Sequence, residues 1–298
     1  MPRTETHVTA PTMFVESGGV RVAYRRVGSG PGVPLILLQH FRGNMDNWDP
    51  AVVDGLAEDR PVILFDNRGV GRSSGPTPDS ITQMARDAIA FVEALEFPRV
   101  DLLGFSLGGM VAQQMMFDRP ALIRRAILVG TGGPGSAGMF SPEVTMAASK
   151  IPGDADSLMF LFFAPTDESR AAGGRYLQRM FQRADREPET TAQTIQAHLA
   201  AIRGWGATNG EVFARLKEIE QPVLIVNGTH DIMIPTFNAF ALSQQIPRAQ
   251  LILYPDAGHG SLFQYPDWFV HDASRFLGNA EPAGSLRRSP TEGEEVVP

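Results

Sequence analysis

The chain contains no cysteine. That absence excludes disulfide cross-links, thiolate metal sites and a cysteine nucleophile, and it removes redox evidence on compartment. Positive charge is also scarce, with 26 Lys and Arg against 33 Asp and Glu and a net charge of −7. Proteins usually meet nucleic acid with basic patches, so this balance argues against a nucleic-acid partner. No run of about 18 apolar residues occurs, so no membrane-spanning helix and no membrane partner is expected. The opening MPRTETHVTAPT lacks the apolar stretch of a secretory signal. No internal repeat is present. The expectation is a soluble, cytoplasmic protein; its oligomeric state stays open, and a homodimer is compatible with it.

What is present is enough apolar residue, 43% of 298, to bury a substantial core. After a flexible leader over residues 1–12, MFVESGGVRVAYRRVG alternates apolar and polar residues around Gly18–Gly19, which predicts a β-hairpin. Short apolar runs follow: VPLILLQ (33–39), PVILFD (61–66), VDLLGFS (100–106), RAILVGT (125–131), PVLIVNG (222–228) and AQLILYP (249–255). They are continuous rather than alternating, as strands covered on both faces should be. Helical spacing fills the gaps between them. SITQMARDAIAFVEALE (80–96) opens on a capping Ser80, and LGGMVAQQMMFDRP (107–120) runs to a proline. Strands alternating with helices predict an α/β fold with a mostly parallel central sheet flanked by helices.

Residues 134–215 break the rhythm. They carry helical segments rich in Met and Phe and no convincing strand, which predicts a helical cap inserted after the sixth strand. The core is then expected over 13–133 and 216–278. The Pro-, Gly-, Ser- and Glu-rich residues 279–298 read as a disordered tail.

GFSLGG matches G-x-S-x-G at Gly104, Ser106 and Gly108. The pattern alone is weak, but here it ends a predicted strand and opens a predicted helix, as a nucleophile elbow requires. A serine hydroxyl needs a base to take its proton, and that base needs an orienting acid. In this architecture the order along the chain is serine, acid, histidine. Asp231 stands just past a strand in VLIVNGTHDIMIP, and His259 stands in a glycine-flanked loop after the next strand, in LILYPDAGHGSLF. Both fall at carboxyl ends of strands, the edge where open α/β sheets build their sites. The other histidines fit less well: His7 lies in the leader, His198 in the cap and His271 in the last helix, while His230 precedes the acid. Asp256 competes as the acid, but it sits three residues from His259 in the wrong loop. Asp66, in LFDNRGVGRSS, reads as a structural support for the Gly-rich loop after it.

Through GFSLGG, DNRGVGRS, NGTHDIMIP and AGHG the chain resembles the α/β-hydrolase superfamily over residues 13–278. More narrowly it is similar to the cofactor-free esterases, enol-lactonases and haloperoxidase-like perhydrolases. The resemblance implies a catalytic triad of Ser106, Asp231 and His259, and an oxyanion hole made by the backbone N–H groups of Phe41 and Leu107. It also implies that neither a metal nor an organic cofactor is needed. The family usually carries His-Gly-Phe after its third strand, whereas this chain has Gln39-His40-Phe41. His40 thus stands in the usual glycine position, as a loop histidine rather than the base. His40, Arg42, Met139, Phe162 and Trp205 are the candidates to line the substrate pocket, although Met and Phe at helical spacing are mostly packing.

The expected activity is hydrolysis of a small apolar ester or lactone through an acyl-enzyme on Ser106. The same residues would also serve perhydrolysis or carbon–carbon bond hydrolysis. A serine at the elbow excludes the aspartate-nucleophile route of epoxide hydrolases and haloalkane dehalogenases. A ligand-binding protein that has lost catalysis is the contrasting class.

Overall fold

The computed structural model describes residues 5–136, 138–139, 141–148, 155–208 and 210–278; the expectations for residues 1–4 and for the tail 279–298 lie outside them. Eight strands are found: Met13–Ser17 (β1), Val20–Val27 (β2), Leu35–Leu38 (β3), Val62–Phe65 (β4), Val100–Phe105 (β5), Ile123–Val129 (β6), Val223–Gly228 (β7) and Ala249–Tyr254 (β8). They form one sheet in the order β1-β2-β4-β3-β5-β6-β7-β8. The β1–β2 and β2–β4 pairs are antiparallel and all the others are parallel. The β1–β2 hairpin turns on Gly18 and Gly19, both at positive φ, where a side chain would be strained.

The predicted apolar runs become strands for the reason anticipated. Every residue of β3, β4, β5 and β7 is buried, so each strand needs apolar side chains on both faces. β8 departs from that reading. It is an edge strand with β7 as its one neighbour, and Leu253 remains 42% exposed. An apolar run reports hydrophobicity, whereas cover on both faces depends on where the strand sits in the sheet.

The helices are Pro50–Leu56 (α1), Ile81–Ala94 (α2), Leu107–Asp118 (α3), Pro142–Ala148 (α4), Ala155–Phe162 (α5), Asp167–Met180 (α6), Ala192–Gly206 (α7), Gly210–Ala214 (α8), Phe237–Gln245 (α9), Ser261–Gln264 (α10) and Pro266–Gly278 (α11). Ser80 caps α2 as predicted, its hydroxyl accepting from the N–H of Gln83 at 3.3 Å. Helices α4 to α8 lie between β6 and β7 in the chain, with no strand among the described residues of that interval.

The segment expected as a flexible leader is held in place over residues 5–12. His7 and Ala10 are buried, and the His7 N–H donates to Asp54 Oδ1 at 2.8 Å. Arg183 Nη1 donates to the carbonyls of Val8 and Ala10 at 2.9 and 2.8 Å. No local pattern advertises these anchors, because the partners lie 47, 175 and 173 residues away.

A buried ion cluster joins three distant parts of the chain. Arg25 of β2 is fully buried and donates to Asp46 Oδ1 at 2.5 Å and Glu187 Oε1 at 2.6 Å. The Glu187 N–H donates to Asp46 Oδ2 at 2.6 Å, so the segment before α7 is clamped to the core. Asp66 lies beside this cluster. Its carbonyl accepts from Ser73 Oγ at 2.7 Å and so supports the Gly-rich loop as expected, while its Oδ1 takes the Met45 N–H at 2.7 Å. Burial, and then the neighbouring Glu187, push its carboxyl well above the usual carboxylate range.

Candidate active site

Four loops that follow β3, β5, β7 and β8 converge at the carboxyl edge of the sheet, and each brings one part of a site. Ser106 stands between β5 and α3 with φ 56° and ψ −116°, a backbone conformation that costs a non-glycine residue about 1–3 kcal/mol. Hydrogen bonds hold it there. Its N–H donates to the Val129 carbonyl at 2.8 Å, and its own carbonyl accepts from Thr131 Oγ1 at 2.8 Å. The glycine after it in the motif has a steric cause. A Cβ on Gly108 would lie 2.0 Å from the Leu38 carbonyl oxygen, so only glycine lets α3 start this close to β3.

His259 and Asp231 are brought together. His259 Nδ1 lies 2.8 Å from Asp231 Oδ2, with both side chains almost wholly buried. A carboxylate can only accept, so Nδ1 carries a proton, and in the neutral ring the lone pair is on Nε2. Nε2 is buried and has no partner among the described residues. The other carboxylate oxygen of Asp231 accepts the N–H groups of Met233 and Ile234, each at 2.9 Å. Asp256 does not reach the histidine; its Oδ2 accepts from Thr166 Oγ1 at 2.6 Å at the start of α6. His230 and His271 are exposed.

The glycines around His259 make room for the insertion. The Gly260 N–H donates to the Phe162 carbonyl at 2.9 Å, and a Cβ on Gly258 would sit 2.7 Å from that same oxygen. Phe162 therefore packs directly over the histidine loop, with its ring centroid 5.7 Å from that of His259. Phe105 covers the imidazole at 5.0 Å.

Ser106 and His259 line one cavity of about 140 Å³ together with His40 and Phe41. Its lining includes the apolar Leu158, Leu161, Phe162 and Met233 and the polar Arg42, Asn44, Asn47, Arg186, Glu189 and Thr190. Of the five residues proposed from sequence to line a pocket, His40, Arg42 and Phe162 do so. Trp205 is instead buried with its Nε1–H donated to the Gly132 carbonyl at 3.1 Å. Met139 lines a separate cavity of about 280 Å³ with Leu199 and Ile202. Both sit among apolar neighbours, where Met and Trp serve as packing.

The loop after β3 is a turn closed by the Gly43 N–H on the His40 carbonyl at 3.1 Å. Arg42 takes its third position with φ 65°. Among the described residues the N–H groups of Phe41 and of Leu107, the first residue of α3, donate to no protein acceptor. His40 is 6% exposed, and its Nδ1 donates to the Phe41 carbonyl at 2.8 Å. Burial lowers its pKa to about 3, so it is neutral and a poor base near pH 7.

Sequence reasoning set His198 aside as a histidine of the cap and did not single out Thr190. His198 is fully buried and its Nδ1 accepts the Arg42 N–H at 3.2 Å, while Thr190 Oγ1 donates to the Arg42 carbonyl at 2.6 Å. Burial lowers the His198 pKa to about 4. The contacts span 156 and 148 residues, and nothing local in the sequence points to them.

Comparison with known proteins agrees with this architecture. The model of the alpha/beta hydrolase fold matches residues 33–266. An α/β-hydrolase fold protein from Chitinophaga pinensis superposes with a TM-score of 0.88 at 41% identity, covering 93% of this chain and 100% of that one. An N-acyl homoserine lactone degrading enzyme superposes with a TM-score of 0.70 at 27% identity, covering 89% and 100% of the two chains. A pimeloyl-(acyl-carrier protein) methyl ester esterase of Nitrosomonas europaea is 26% identical over 249 residues, 81% of this chain and 94% of that protein. By its matched residues and its sheet, the chain belongs to the α/β-hydrolase family.

Proposed function

We propose that the protein hydrolyses a carboxylic ester or lactone through an acyl-enzyme on Ser106. One observation carries the reading: a buried imidazole, oriented by Asp231 at 2.8 Å, presents an unpartnered Nε2 in the same cavity as a serine on a strained elbow. Ser106 Oγ attacks the carbonyl carbon as its proton passes to His259 Nε2. The C–O bond to the leaving alcohol breaks, and that proton goes to the alcohol oxygen. Water then attacks the acyl carbon, giving one proton to His259, and Ser106 leaves with it as the free hydroxyl. The N–H groups of Phe41 and Leu107 would hold the oxyanion in both halves, each worth about 3 kcal/mol. Asp231 fixes the tautomer and stabilises the imidazolium.

The esterase and lactone-degrading names of two relatives favour ester and lactone substrates. The small volume beside Ser106 favours short acyl groups. The test is turnover of p-nitrophenyl esters from acetate to octanoate and of an acyl homoserine lactone, by the wild type and by Ser106→Ala. Loss of turnover and of fluorophosphonate labelling in the variant is expected, with rates falling as the acyl chain lengthens. Turnover that survives in Ser106→Ala, or a wild type that refuses both substrates and label, overturns the reading.

A further inference from the structure

The peptide unit between Phe41 and Arg42 is gripped at both ends by histidines of opposite tautomer. Its carbonyl accepts from His40 Nδ1 at 2.8 Å, which requires the proton on Nδ1. Its N–H donates to His198 Nδ1 at 3.2 Å, which requires that nitrogen to be bare and the proton to sit on Nε2. The next carbonyl, that of Arg42, is taken by Thr190 Oγ1 at 2.6 Å.

These ties meet a physical need. Arg42 stands at φ 65° in the third position of its turn, where glycine or asparagine is normal and a long side chain costs about 1–2 kcal/mol. Left to itself the turn would relax by rotating this peptide plane. That rotation would break the contacts of this peptide unit to both histidines and loosen the turn whose second residue, Phe41, carries the proposed oxyanion donor. His198 and Thr190 belong to the segment between β6 and β7, and that segment is itself anchored. Thr194 Oγ1 donates to the Gly69 carbonyl at 3.1 Å, Asn44 Nδ2 donates to the Pro188 carbonyl at 3.3 Å, and Glu187 sits in the Arg25 cluster. The burial that keeps both histidines neutral preserves the donor and acceptor roles each must play.

We propose that His40, His198 and Thr190 are positioning residues that hold the Phe41–Arg42 turn in its oxyanion-binding form, so that the inserted segment completes the catalytic machinery of the core. The inference rests on the ester-hydrolase reading and on Phe41 N–H as an oxyanion donor. It also gives His40 a role at the position where the family's glycine usually stands.

Thr190→Val keeps the shape and deletes the hydroxyl, whereas Thr190→Ser keeps the hydroxyl; His198→Phe keeps a ring and deletes the acceptor. With p-nitrophenyl acetate, Thr190→Val and His198→Phe are expected to lose 10-fold or more in kcat with KM within about twofold. Both should bind a phenylboronic acid, which forms a tetrahedral adduct on serine, correspondingly more weakly. Thr190→Ser should recover most of the rate. Wild-type kcat in both deleting variants would overturn the inference alone, as would a loss in Thr190→Ser equal to that in Thr190→Val. A wild type that neither turns over esters nor takes a fluorophosphonate would instead remove the hydrolase reading, and this inference with it.

Discussion

Replacing Asp231 by asparagine keeps the shape of the acid and removes its charge, and the structure dictates how the amide must sit. Oδ1 accepts two backbone N–H groups, from Met233 and Ile234, each at 2.9 Å. An amide NH2 cannot accept them, so the asparagine oxygen must stay on that side and its NH2 must face His259 Nδ1. The NH2 can only donate, which strips the proton from Nδ1 and moves it to Nε2. The nitrogen facing the cavity then has no lone pair for the Ser106 proton. The lost charge adds to this. With about 4 Å between charge centres and an effective dielectric constant near 20, attraction between the carboxylate and the imidazolium is about 4 kcal/mol, or roughly a thousandfold in rate. Tautomer and charge together predict a fall in kcat of about 10³–10⁴, with KM changed only a few-fold; the upper figure matches the loss known for the same exchange in a Ser-His-Asp protease. The assay is initial-rate hydrolysis of p-nitrophenyl butyrate at pH 7.5, with thermal unfolding as the check that the two backbone bonds survive. Asp256→Asn is the control and should leave the rate unchanged, because Asp256 bonds to Thr166 rather than to His259. An Asp231→Asn variant within tenfold of wild type would refute the reasoning.

Two further expectations concern stability. Gly108→Ala would force a Cβ to 2.0 Å from the Leu38 carbonyl oxygen, which is backbone in the centre of the sheet and cannot step aside. A loss of about 3 kcal/mol or more is expected; urea unfolding at the wild-type midpoint would contradict the close approach. His7 is buried, and burial first, then the charge of Arg25, lowers its pKa to about 3 from the ordinary 6.5. Between those values the unfolded chain binds the proton and the folded protein does not, so this contribution to stability is complete above pH 6.5 and shrinks as pH falls. The loss is about 1.4 kcal/mol per unit, or about 2 kcal/mol by pH 5. His7→Met lacks this dependence, so its stability relative to wild type should improve by that amount between pH 6.5 and 5. A difference that stays constant with pH would show that His7 is protonated in the folded state.

By itself the sequence determined what short-range chemistry can specify. Runs such as LILL and VILF are apolar because both faces of those strands are covered, and that reading survives wherever the strand is central. GFSLGG is legible because the elbow is a local backbone device, with glycine where β3 approaches and a serine forced to positive φ between a strand and a helix. The order Ser106, Asp231, His259 follows from loops that all leave one edge of a parallel sheet.

The tertiary structure decided everything that depends on partners distant in sequence. It made β8 an edge strand, anchored residues 5–12 through Asp54 and Arg183, and buried Arg25 between Asp46 and Glu187. It chose Phe162 over Met139 and Trp205 for the cavity wall, because only Phe162 docks against the glycines beside His259. It also joined His198 and Thr190 to Arg42 across some 150 residues. Hydrophobic periodicity and turn chemistry reach only a few residues along the chain. A hydrogen bond between segments this far apart exists only once the sheet and the inserted helices have packed, and composition gives no account of it in advance.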